Sequence, residues 1–84
     1  MGQWLKGIVE MSKQFVTFYV SWRDAARKPI SWFADEVSYG RAASDALADK
    51  LNELADDGWI IDQIIPAASP NPRIAAAFTI IAFQ

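Results

Sequence analysis

The 84-residue chain contains no cysteine and no histidine. Without cysteine there is no disulfide framework, no thiolate nucleophile and no zinc-thiolate site; without histidine the usual neutral-pH base and the commonest metal ligand are missing too. Most familiar enzyme mechanisms are thereby excluded, and no cofactor or metal is expected. The four glycines stand apart at positions 2, 7, 40 and 58, so no glycine-rich phosphate cradle is present. No apolar run approaches the roughly 20 residues of a membrane span, and the first residues lack the long apolar stretch and cleavage site of a signal peptide. A net charge of −2 lacks the broad basic footprint of nucleic-acid binding. The expectation is a soluble, cytoplasmic protein with no direct contact to nucleic acid or membrane.

What the chain does have is apolar material, 52% hydrophobic residues in a length that supports one domain. A chain this short buries only about two-thirds of the surface its unfolded form exposes, so part of that material is left outside the core. Self-association or a partner follows as an expectation.

Residues 1–12 place Trp4, Leu5, Ile8 and Met11 at helical spacing beside two glycines, which reads as an N-terminal arm ahead of one domain over 13–84. In 13–22 the β-branched and aromatic run puts Val16, Phe18, Val20 and Trp22 on one face and Phe15, Thr17 and Tyr19 on the other, a first strand. The stretch from Arg23 to Tyr39 begins as a polar loop, with Ser31 placed to cap a short turn carrying Trp32, Phe33 and Val37. Over 41–57, Ala43, Leu47, Leu51, Leu54 and Ala55 share one face of an amphipathic helix. Gly58 stands where a left-handed residue closes a helix, and Trp59 where a hydrophobic side chain packs back on the last turn. Residues 59–65 and 74–83 then read as two strands joined by a proline-rich connection.

The last strand is apolar on both alternating faces, which suits a central position. The spacing therefore predicts an α+β fold of β-α-β-β topology: a three-stranded mixed sheet in the order 1-3-2, one main helix on one face, and strands 1 and 2 parallel through a right-handed crossover. The uncovered face is left to the N-terminal arm or to a second copy; the second copy is the favoured reading, a homodimer with Phe15, Tyr19, Phe78 and Ile80 as its self-association residues. Burying even roughly 400 Å² there would be worth on the order of 10 kcal/mol, against association costs of similar size.

The run from Leu47 to Pro66, with Leu51, Asn52, Leu54, Gly58 and Trp59 in a Leu-Asn-x-Leu-x-x-x-Gly-Trp pattern and Phe15 to Val20 as the preceding strand, resembles the uncharacterised bacterial and phage family numbered 4177 in the domain-of-unknown-function series. The resemblance spans roughly residues 13–84 and departs from the family pattern in the N-terminal arm and the insert from Arg23 to Arg41. It implies the strand-helix-strand-strand order and a phage or plasmid origin, and it assigns no activity.

Charge is distributed unevenly. Between Ser44 and Asp62 there are six acids and one base, while residues 1–43 carry a net charge of +2. Asp45, Asp49, Glu53 and Asp56 fall on the outward helix face at i, i+4, i+8 and i+11, where like charges repel by a few tenths of a kcal/mol per pair. A solvated face is the simpler reading. The sharper one is a docking strip, joined by Trp32, for a host or assembly protein with a basic surface, such as one that normally grips nucleic acid. The specific form of that reading is a phage or mobile-element inhibitor of a host nucleic-acid-handling or defence complex.

Two alternatives belong to other classes. Arg23, Arg27 and Lys28 after the first strand, with Trp32, could hold a phosphate-containing ligand or nucleotide; the domain could also be a structural subunit of a larger assembly. The carboxylate pair Asp57 and Asp62 is the best catalytic combination available, and its spacing is shared by any acidic helix followed by a strand, so no enzyme is expected.

Overall fold

The computed structural model describes residues 14–29 and 35–84. The arm over 1–12, with Trp4, and the aromatic pair Trp32 and Phe33 with the cap assigned to Ser31 lie outside the described residues.

Strand β1 is Phe15–Ser21, followed by a 3-10 turn over Trp22–Asp24. The chain turns here because Ser21 and Asp24 satisfy each other's neighbourhood. The Arg23 N–H donates to Ser21 Oγ at 3.2 Å and the Ser21 N–H to Asp24 Oδ2 at 2.8 Å, a reciprocal cap. Trp22, which parity places last on the strand's inner face, is thus carried into the core by a turn instead of by the strand.

Helix α1 runs Glu36–Asp56 and starts five residues before the sequence periodicity becomes readable. Asp35 is its cap: the carboxylate accepts the Ser38 N–H at 2.9 Å, and that bond is the main cause holding its pKa below the usual value. Gly40 obscures this start in the sequence, since a glycine costs about 1 kcal/mol in a helix interior. The buried face is Tyr39, Ala42, Ala43, Ala46 and Leu54, with Leu47 and Leu51 half-buried, whereas Ala55 is exposed. Small residues along this face bring the helix close to the sheet.

The helix ends as expected. Gly58 has φ +86°, its N–H donates to the Ala55 carbonyl at 3.1 Å, and the Trp59 N–H donates to the Leu54 carbonyl at 2.9 Å. Trp59 packs against the core and meets Phe18 edge-on at 5.4 Å. The two described helix-associated glycines should therefore respond in opposite senses. Gly58→Ala is expected to destabilise by about 1–2 kcal/mol through left-handed strain. Gly40→Ala, whose new Cβ meets nothing within 4 Å, is expected to stabilise by up to about 1 kcal/mol; thermal melts of the two variants check both signs.

Strand β2 is Ile60–Pro66, helix α2 a single turn over Pro72–Ala75, and strand β3 Ala77–Phe83. Ile74 and Ala75, expected in the last strand, belong to α2 instead. Asn71 accepts the Arg73 N–H at 3.0 Å and Pro72 occupies the first helical position, so the local cap wins over strand propensity. The sheet order is β1-β3-β2, and both neighbouring pairs are antiparallel. β1 and β2 point the same way but never touch as neighbours, so the ladders are purely antiparallel.

Candidate interaction surfaces

Register decides which side chains share each face. β1 and β3 pair Phe18 with Ile80 and Val20 with Phe78; β2 and β3 pair Ile61 with Ala82 and Ile64 with Ile80. Those residues face α1, where Ile80 is fully buried and Phe78 packs against the core. Ile80 is therefore a core residue, and Phe78, half-buried, lies on the same helix-facing side of the sheet, so neither belongs to the open face. Alternation along β3 separates two apolar faces but does not say which meets the helix.

The opposite face is formed by Phe15, Thr17 and Tyr19 of β1, Thr79, Ile81 and Phe83 of β3, and Ile60, Gln63 and Ile65 of β2. The register shift between Ile61 and Gln63 leaves Asp62 unpaired and flips the alternation of β2, so that Ile61 and Ile64 point inward while Ile60 and Ile65 point outward. Phe15 and Phe83 meet across the strands with centroids 5.3 Å apart and ring planes tilted by 48°. Phe15, Tyr19, Ile60 and Ile65 are 45–66% exposed, and no described element packs over them. Of the four residues the sequence assigns to self-association, Phe15 and Tyr19 lie on this face, and β3 supplies Ile81 and Phe83 to it in place of Phe78 and Ile80.

The family models, curated proteins and solved structures compared with this chain include no match.

On the other side of the molecule, Asp45, Asp49, Glu53 and Asp56 are all exposed along α1, as the spacing implies. The salt bridge between Lys50 and Glu53, at 3.6 Å, is the one ion pair among the described residues, and Lys50 also lies 5.3 Å over the Phe18 ring. Asp49 and Glu53 reach a groove of about 190 Å³ between α1 and the end of β1, whose other walls include Tyr19 and Asp24. Asp57 caps the helix and its carbonyl accepts the Gln84 amide at 3.1 Å. Asp57 and Asp62 are both exposed, and among the described residues no three acidic side chains are grouped to hold a metal ion. No helix among the described residues is long and apolar enough to cross a membrane.

The cations divide. Arg23 stacks over the Trp22 ring at 4.7 Å, which keeps it with the 3-10 turn. Arg27 and Lys28 instead line a second groove, of about 200 Å³, together with Arg41 and Ser38 of α1. Arg41 was not among the sequence-assigned residues. In sequence it reads as the first residue of the helix pattern, and only the longer α1 places it opposite the loop.

Proposed function

We propose that this chain is a non-catalytic interaction module that pairs with a second copy of itself through the open sheet face and offers the acidic face of α1 to a basic protein surface. The open face carries the reading. It presents four large side chains that are about half exposed or more, and its nine described members include no charged residue. In a two-fold dimer each patch meets its own copy, so a charge near the axis would meet the same charge. An uncharged face fits an identical partner, while the acidic helix, on the opposite side, would repel one.

The acidic stripe supports the second half of the proposal. Among the described residues its carboxylates have one cationic neighbour in ion-pair range, and they stand in a row on one helix, an arrangement suited to a protein that normally grips phosphates. A phage or mobile-element inhibitor of a nucleic-acid-handling or defence complex is the specific form we favour. The strand-helix-strand-strand order and the Gly58-Trp59 closure support membership of the family numbered 4177.

Sedimentation over a concentration series tests the dimer. The native chain is expected to dimerise, and Tyr19→Glu combined with Ile65→Glu, both exposed positions, is expected to weaken association about a hundredfold or more while circular dichroism stays native. Reversal of Asp45, Asp49 and Glu53 to Lys should leave the dimer intact and abolish retention of a basic protein in affinity capture from the native host. A native chain that remains monomeric at high concentration overturns the self-association reading; capture unaffected by the reversal overturns the acidic docking strip.

A further inference from the structure

Arg27 and Lys28 sit on a loop whose base is fixed. Ala25 is buried, its N–H donates to the Trp22 carbonyl at 3.1 Å, and Pro29 restricts the backbone on the far side. Facing the loop are Ser38, Arg41, Ala42 and Asp45, which helical spacing places on one side of α1 over two turns. The groove between them thus collects three cationic side chains and one carboxylate around a space of about 200 Å³. None of the three cations is in a salt bridge with a described residue, and all three are exposed. Asp45 offsets one of the three charges, so the groove carries two positive charges in excess.

We infer that this groove binds a small phosphomonoester, with Arg27, Lys28 and Arg41 around the phosphoryl group and Asp45 accepting from a hydroxyl or amine beside it. Charge selects the ligand class. A phosphomonoester carries about −1.5 to −2 at pH 7, which matches the groove's excess. A carboxylate would supply one charge. A long polyphosphate would bring surplus anionic charge toward Asp45. Arginine supplies planar, fork-shaped donors suited to phosphoryl oxygens. Ser38 adds a hydroxyl to the same wall. The ligand's second ionisation lies near pH 6, so affinity falls as pH drops through that value.

Calorimetry on the full chain tests the site with inorganic phosphate, glycerol phosphate, adenosine monophosphate and a single-stranded oligonucleotide as probes. Saturable binding of one phosphomonoester per chain is expected, weakening below about pH 6. Arg41→Gln, at an exposed position, should weaken it about tenfold or more, as loss of a charge-assisted hydrogen bond does. Arg23→Gln removes the same charge outside the groove and should leave affinity unchanged. Absence of heat with all three phosphate probes, equal weakening by Arg23→Gln, or binding confined to the oligonucleotide would each overturn the assignment. The site does not depend on the sheet dimer, so its failure leaves the proposed function standing.

Discussion

Trp22→Ala is expected to be strongly destabilising and to lower the melting temperature by roughly 15 °C or more. The indole is 8% exposed and meets Tyr39 edge-on at 5.0 Å, and its Nε1–H donates to the Arg73 carbonyl at 3.0 Å. It therefore ties the end of β1 to the first turns of α1 and to α2 at once. Truncating a buried tryptophan costs about 3–5 kcal/mol, a large share of the 5–15 kcal/mol available to a domain. At about 4–8 °C per kcal/mol for a domain of this size, the melting temperature should fall by roughly 15 °C or more. Trp22→Phe separates the contributions. It retains a ring against Tyr39 but removes both the bond to the Arg73 carbonyl and part of the buried ring volume, so a smaller cost of about 1–3 kcal/mol is expected. An alanine variant that melts within a few degrees of the native chain would show that this junction does not hold the fold together. The same junction positions Arg27 and Lys28, so the alanine variant should also lose phosphate binding.

Replacing Ile80 with Ala should cost about 2–5 kcal/mol, because the side chain is fully buried under α1 in the central strand and leaves a cavity lined by elements that cannot all collapse. Ile80→Val should cost about 0.5–1.5 kcal/mol. Neither loss should depend on protein concentration, since Ile80 belongs to the core of one subunit. Ile65→Ala makes the contrast. On the open face it should change stability little in dilute protein and more at concentrations where copies pair, because binding stabilises the folded state by mass action. Denaturant melts at two concentrations distinguish the positions. An Ile80→Ala loss below about 1 kcal/mol would contradict the core assigned from register.

The elements that periodicity marks strongly are the ones the structure reproduces. β1, the body of α1, the Gly58 closure and a central last strand all follow from local pattern, because each depends on residues within a few positions of one another. The N-terminal turn of α1 does not, since Gly40 weakens the helical signal and the cap depends on a single side chain, Asp35, bonding to Ser38. α2 is similar: Asn71 and Pro72 start a helical turn inside an apolar run that otherwise reads as strand. Both are cases where a cap outweighs propensity.

The candidate surfaces divide along the same line. The acidic stripe is visible in the sequence because its four residues lie on one helix and share a face by spacing alone. The basic groove is only half visible, because Arg41 faces Arg27 and Lys28 through the way α1 crosses the loop, while Arg23 is drawn aside by the Trp22 ring.

Local sequence, then, determined the β-α-β-β order, the acidic side of the helix and the presence of more apolar surface than one small core can hide. Tertiary structure alone decided which apolar residues remain outside. Strand alternation defines two faces without saying which one meets the helix, and an unpaired Asp62 reverses the alternation of β2 part-way along. That choice requires the pairing of Phe18 with Ile80 and of Phe15 with Phe83, residues more than 60 positions apart in the chain, and no short-range pattern encodes it.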